Sequence, residues 1–319
     1  MRHSDWGTVS ARWAGIRSET VDVHGAAVHY LRAGSERDGP AHLLVHPLGG
    51  SATLWMDLIP HLAASGPVYV PDLPGTLFGH TELPHPRAAR LAPNVRFLRA
   101  FTGTLGLEKV TVHGWSMGGL VAAMFAGLAP DRVGRLVLAT PALPARLPEK
   151  EARWWRTIGR ACLSAAQPLA RTVLRAGARP LLEMKIRTYA DRDTLTGGEK
   201  LVGGDLTRLS PEMTALIGEE LRTADPARLG DTVTAMTSIM RAIFVDPEPV
   251  RAALSRVSAP TLVLWGETDN IVIDGAREDL NVRRPDWTQH TLPDTGHVFP
   301  LEVPGAYAET VARWAGSGS

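Results

Sequence analysis

Short apolar runs recur along the chain, each closed by glycine, proline or a small polar residue. His42-Leu43-Leu44-Val45-His46, Val68-Tyr69-Val70, Lys109-Val110-Thr111-Val112-His113, Arg135-Leu136-Val137-Leu138-Ala139 and Ala259-Pro260-Thr261-Leu262-Val263-Leu264-Trp265 are of this kind. Runs this short without polar alternation fit strands covered on both faces, the usual state of a parallel sheet. Thr20 to His24 and Ala27 to Leu31 alternate instead, with Gly25 between them, which predicts a β-hairpin at a sheet edge. Thr288 to Leu292 reads as a last short strand, and eight strands result.

Helical periodicity fills the gaps. Leu54 to Ala64 and an amphipathic stretch capped by Asn94 and ending near Leu105 (apolar at Val95, Leu98, Phe101 and Leu105) are helices by spacing. So are Leu120 to Ala126, about Asp274 to Leu280, and a C-terminal segment ending near Trp314. Residues 1–18 read as a poorly constrained arm, Gly34 to Pro40 as a charged loop and Thr76 to Pro93 as a proline-bearing loop. From about Leu143 to Met240 no strand is visible, only helical patterns broken at Pro168, Pro180, Gly197-Gly198, Gly203-Gly204 and Pro226. The expectation is an α/β fold with a mostly parallel eight-stranded sheet and helices on both faces. Its core spans 1–142 and 241–319, with a helical block, 143–240, inserted after the sixth strand.

Between the strand ending at His113 and the helix beginning near Leu120 lies Gly114-Trp115-Ser116-Met117-Gly118-Gly119. A serine at a tight strand-to-helix corner needs a strained backbone and small neighbours two residues to either side, and Gly114 and Gly118 supply them. The corner lifts the Ser116 hydroxyl off the sheet edge. It also leaves the Met117 N–H at a helix N-terminus, where negative charge is favoured. A glycine-rich turn before an ordinary helix would explain the glycines but not the serine at the apex.

Composition narrows the classes. The 319 residues carry a net charge of +1, with no basic run interleaved with aromatics, so a nucleic-acid surface is not expected. Only four of the 34 basic residues are lysine, and with the heavy use of Ala, Gly and Pro this points to a GC-rich bacterial source. The single cysteine, Cys162, leaves neither a disulfide framework nor a zinc cluster, and no metal or cofactor is expected. No stretch is long enough for a membrane span. The first twenty residues carry Arg2, Asp5, Arg12, Arg17 and Glu19 without an apolar block, so a cytoplasmic protein is expected.

A serine hydroxyl needs an imidazole to take its proton and a carboxylate to orient that imidazole. Of eleven histidines, His42 and His113 sit in or beside buried strands and read as packed core residues. His24, His29 and His290 are in strands, while His3, His61, His80 and His85 have no chemical context. His297 follows Gly296 just past the last strand, where open α/β sheets collect their active groups. Asp269 leaves the end of the preceding strand in the same way. Its rivals are Glu267, close against the strand end, and Asp274, placed as a helix N-cap. An oxyanion site needs two N–H donors: Met117 is one, and Leu48, in the His46-Pro47-Leu48-Gly49-Gly50 loop after the third strand, is the other.

With these motifs in order, the chain resembles the α/β-hydrolase fold superfamily. The similar branch contains carboxylesterases, haloperoxidase-like enzymes and meta-cleavage C–C hydrolases. GWSMGG matches the nucleophile elbow, HPLGG the oxyanion loop, PDLPG the turn after the fourth strand, LVLWGETDNIV the acid strand and DTGHVFPLEVP the histidine loop. Two departures stand out: Pro47 replaces the usual glycine of the oxyanion loop, and Thr76 to His80 replaces a usual G-x-S. Serine at 116 argues against dehalogenase or epoxide hydrolase chemistry, where related proteins carry aspartate. The resemblance makes residues 143–240 a helical cap over the pocket. Trp115, Phe299, Trp154 and Trp155 are candidate pocket residues, the competing reading of the tryptophan pair being one on the core and one at the surface.

The function expected is cleavage of a carboxylic ester of an apolar acyl compound through an acyl-enzyme, with Ser116, His297 and Asp269 as the triad. Thioester or lactone cleavage, C–C bond hydrolysis and acyl transfer use the same residues. A non-catalytic ligand-binding protein on this scaffold is the alternative from another class.

Overall fold

The computed structural model describes residues 3–35, 39–165, 203–225, 228–272 and 275–317. Its eight strands are β1 (Arg17–Val23), β2 (Ala26–Ala33), β3 (His42–Val45), β4 (Val68–Pro71), β5 (Val110–Trp115), β6 (Val133–Ala139), β7 (Thr261–Gly266) and β8 (Thr288–Leu292). They form one sheet in the order β1-β2-β4-β3-β5-β6-β7-β8. The β1–β2 and β2–β4 pairs are antiparallel, and every pairing from β4 through β8 is parallel. The carboxyl ends of β5, β6, β7 and β8 therefore lie side by side on one sheet edge.

The apolar runs lack alternation because both faces are covered, and the two cores divide the residues by strand parity. Leu43, Val45, Val112, Leu136, Leu138 and Val263 point to one face, and Leu44, Val137, Ala139, Leu262 and Leu264 to the other. The first face is covered by helices α2 (Leu91–Thr104) and α3 (Met117–Leu128), and by residues after the inserted block. The second is covered by α1 (Ile59–Ala63), the N-terminal segment and the C-terminal helix that contains Tyr307 and Val311.

Between β6 and β7 every described regular element is helical. Helix α4 (Glu149–Trp154) continues through a π-turn at Trp155–Gly159, and α5 (Pro211–Thr223), α6 (Leu229–Met240) and α7 (Glu248–Ser255) follow. After β7 come α8 (Ala276–Arg283), then past β8 a short α9 (Phe299–Glu302) and α10 (Pro304–Ser317). The breaks expected at Pro168, Pro180, Gly197-Gly198 and Pro226 lie outside the described residues.

Two expectations are corrected. The N-terminal segment is not a loose arm, because Trp6, Trp13 and Ile16 are buried in the second core. Trp13 Nε1 donates to Asp57 at 2.8 Å, and Trp6 Nε1 to Ser18 at 3.0 Å. Two indole rings outweigh the charged residues around them. Asn94 is not a cap either. Helix α2 begins at Leu91, Pro93 falls in the first turn where no N–H is needed, and the Asn94 amide donates back to the Arg90 carbonyl at 3.1 Å.

The second core also holds a polar chain. Ser65 Oγ donates to the Leu62 carbonyl (2.9 Å), so it must accept from His42 Nε2 (3.1 Å). His42 Nδ1 then accepts from His113 Nε2 (3.0 Å), and His113 Nδ1 from the Tyr307 hydroxyl (3.0 Å). Each link requires a neutral imidazole. Burial lowers the His42 pKa to about 4, helped by Arg135, and holds His113 well below its usual range. A depressed histidine pKa stabilises the fold above the unfolded value near 6.5, and that contribution is lost as pH falls toward the folded value. Denaturant midpoints should thus drop between about pH 6.5 and pH 4, by a few kcal/mol in unfolding free energy. His42→Gln should flatten that slope, and an unchanged slope would mean that other groups carry it.

Candidate active site

Ser116 stands where β5 turns into α3, with φ 54° and ψ −117°. That left-handed backbone is costly for a residue with a Cβ, and the surroundings hold it there. Its N–H donates to the Ala139 carbonyl at 3.0 Å, and its own carbonyl accepts from Gly119 and Ala142, each at 3.0 Å. The flanking glycines are required by contact. A Cβ on Gly114 would lie 2.7 Å from the Ala122 Cβ, and one on Gly118 would lie 2.6 Å from the His46 carbonyl oxygen.

On the same edge, three residues past β7, Asp269 accepts a hydrogen bond from His297 Nδ1 at 2.9 Å through Oδ2. The Thr140 hydroxyl, one residue past β6, donates to the same oxygen, while Asp269 Oδ1 accepts from the Ile271 and Val272 N–H groups (2.8 and 3.2 Å). Burial alone would push the Asp269 carboxyl up, but the bonds and charge from His297, with Thr140 and Ile271, hold it below the usual range. Asp269 is therefore an anion at neutral pH, facing His297 Nδ1.

The His297 main chain is clamped on three sides. Trp115, next to Ser116, donates from Nε1 to the His297 carbonyl at 2.9 Å and so ties the elbow to the histidine loop. The His297 N–H donates to the Gly203 carbonyl, and the Gly296 N–H to Glu302 Oε1 at 3.2 Å. Glu302 is buried, which pushes its carboxyl up despite Arg208 at 3.7 Å.

Opposite the elbow, the loop after β3 is pinned by His46. Its Nδ1 donates to the Pro47 carbonyl at 2.9 Å and its Nε2 accepts the Leu73 N–H at 3.0 Å. Burial keeps this imidazole neutral, with its pKa lowered. Asp72 holds the far end of the loop by accepting the Ala52 N–H (2.7 Å) and His29 Nδ1 (2.7 Å), contacts that outweigh burial and bring its pKa down to about 2. Among the described residues, neither the Leu48 nor the Met117 N–H has a backbone acceptor. Pro47 thus takes a defined part: its carbonyl is the acceptor that fixes His46.

The alpha/beta hydrolase fold is matched across residues 40–304. The chain belongs to this family. The chain is 33% identical to the pimeloyl-[acyl-carrier protein] methyl ester esterase of Aeromonas hydrophila, over 87% of this chain and 96% of the relative. An uncharacterised protein of Mycobacterium tuberculosis is 38% identical over 119 residues, which is 37% of this chain and one third (33%) of that relative's length. In architecture it is similar to Cfl2 of Burkholderia cenocepacia, with a TM-score of 0.70 at 23% identity, covering 95% of this chain and 97% of the other.

The other candidate residues fall elsewhere. Glu267 is exposed and accepts the Asp294 N–H at 2.9 Å, while Asp274 lies outside the described residues. Phe299 is fully buried against Tyr307 and Trp115 is buried against Trp55, so both are packed into the second core and not onto an open pocket. Trp155 stacks on Phe244 at 4.5 Å between centroids, and Trp154 is 45% exposed. Met184 and Tyr189 of the inserted block lie outside the described residues. Among the described residues there is no group of metal-ligating side chains, and no helix is long and apolar enough to cross a membrane.

Three contributors escape sequence reasoning. His46 is recognisable in the sequence only as part of a loop, Glu302 as part of the histidine-loop motif, and Thr140 as the residue just past a strand. A threonine just after a buried β6, on the edge that carries the serine, was the one available signal.

Proposed function

We propose that the hydrolase cleaves a carboxylic ester through an acyl-enzyme formed on Ser116. His297 Nε2 takes the Ser116 proton as Oγ attacks the carbonyl carbon, then returns it to the departing alkoxide. Water, deprotonated by the same imidazole, releases the acid and regenerates the serine. Asp269 holds the Nδ1–H tautomer and stabilises the imidazolium. The Leu48 and Met117 N–H groups receive the oxyanion. At the coarser level, ester cleavage is what the family and the full-length esterase relatives support. The observation that carries the finer reading is the His297–Asp269 pair, tied through Trp115 to a serine held in a left-handed backbone.

Residues 143–240 act as the cap in this reading. Support comes from two places in the block: Gly203 abuts the histidine loop, and the Thr232 methyl of α6 lies 3.9 Å from where a Cβ on Gly49 of the oxyanion loop would sit. Glu220 of α5 accepts from Thr53 at 2.6 Å and fastens the block to the core. The substrate is a small acyl compound met in the cytoplasm. Thioesters, lactones, diketone C–C bonds and non-water acceptors are accessible to the same residues.

Incubation with a fluorophosphonate probe should label Ser116, with turnover of p-nitrophenyl acyl esters that the probe abolishes. A panel of esters, thioesters and lactones then ranks the bond cleaved. Absence of labelling together with tight binding of a small acyl compound would instead make the protein a receptor.

A further inference from the structure

The residue after β6 is under a strain that the fold does not require. Thr140 is fully buried, with φ 40°, a backbone region in which a β-branched side chain is an outlier and glycine would sit freely. Its N–H donates to the Leu264 carbonyl at 2.8 Å, so the main chain follows β7 and the turn could be made by glycine. Threonine here contributes its hydroxyl. Thr140 Oγ1 donates to Asp269 Oδ2, the same oxygen that accepts His297 Nδ1, and lies 3.3 Å from that nitrogen. The Nδ1–H is thus shared between a carboxylate and the hydroxyl that the carboxylate itself binds, in a closed triangle.

We propose that Thr140 is a positioning residue for the reaction, fixing the Asp269 carboxylate and the His297 ring in one plane and drawing negative charge away from the imidazole. The proposal rests on the assignment of Ser116, His297 and Asp269 above. A carboxylate that spends part of its charge on the hydroxyl stabilises the imidazolium less, so the base is deprotonated at lower pH. Among the described residues the other charges at this corner are Glu302, Arg208 and Asp205, beside the histidine loop, with Asp294 and Glu267 at its start, and all are retained in every variant below.

Thr140→Val keeps the shape and the backbone strain but removes the hydroxyl. It should lower kcat by on the order of tenfold, as for loss of a hydrogen bond to a charged group, with KM within about twofold. The acid limb of the kcat/KM profile should move to higher pH. Thr140→Ser should restore both. Thr140→Gly relieves the strain while still lacking the hydroxyl, so it should fold at least as well as Thr140→Val and show the same displaced limb. If Thr140→Gly or Thr140→Val keeps the wild-type kcat and limb, the hydroxyl has no such part and the proposal fails. The downfield proton resonance of His297 Nδ1 gives a reading independent of turnover. It should shift in Thr140→Val and Thr140→Gly and be retained in Thr140→Ser. An unlabelled Ser116 with that pattern would sink the esterase reading alone, whereas a labelled Ser116 with an unmoved resonance would sink the role of Thr140 alone.

Discussion

Ser116→Ala should lower kcat for ester hydrolysis by about 10³- to 10⁶-fold, with substrate affinity nearly unchanged. The range follows from what remains. Without Oγ no acyl-enzyme forms, and the residual rate is that of water attacking a carbonyl polarised by the Leu48 and Met117 N–H groups, which the substitution leaves in place. The hydroxyl contributes little to folding. Ser116 keeps its backbone bonds to Ala139, Gly119 and Ala142, and alanine occupies the same strained φ of 54° that serine does. Equal melting temperatures with abolished probe labelling would place the loss on chemistry. A fall of only a few-fold would show that another group delivers the nucleophile.

The elbow could be read along the chain because its constraint is local. Gly114 is required by Gly118, Gly119 and Ala122 of the helix that follows, so sequence spacing carries that part of the geometry, while the Val45 and His46 carbonyls that require Gly118 are brought near by the fold. The strands were legible for a related reason: parity divides each run between two cores, and both sides must be apolar. His297 and Asp269 were singled out by position at strand ends, which topology makes adjacent without any contact being visible in the sequence. Thr140 could not be found that way. Its part depends on one hydroxyl meeting a carboxylate 129 residues later, and on a positive φ that no propensity assigns to threonine. Trp115 and Phe299 fail as pocket residues. Trp115 alternates with its neighbour Ser116 at the strand end, and Phe299 opens the short α9, where its ring packs on Tyr307; both rings fill the layer beneath the site. Asn94 shows a third kind of difference: the loop read up to Pro93 ends earlier, at Arg90, because the first helical turn tolerates proline.

Asp269→Asn should cost about 10³- to 10⁴-fold in kcat, the order seen when a triad carboxylate becomes an amide. Four donors converge on this side chain: His297 Nδ1 and the Thr140 hydroxyl on Oδ2, and the Ile271 and Val272 N–H groups on Oδ1. An amide can accept on one side only. With its oxygen toward the two backbone N–H groups, its NH₂ faces His297 and donates to Nδ1, which forces the proton onto Nε2, so the ring cannot take a proton from Ser116. Turned the other way, the NH₂ meets two backbone N–H groups, and the loop after β7 must yield. The first outcome removes the base with the fold intact; the second keeps the Nδ1–H tautomer but loses the charge that stabilises the imidazolium and lowers the melting temperature, so a melt run beside the kinetics tells them apart. Glu267→Gln is the control. That carboxylate is exposed and accepts only the Asp294 N–H, which the amide oxygen can still accept, so kcat should stay within about twofold. The reverse pattern, a severe Glu267→Gln and a mild Asp269→Asn, would transfer the acid to Glu267 and leave His297 oriented from the other side of its loop.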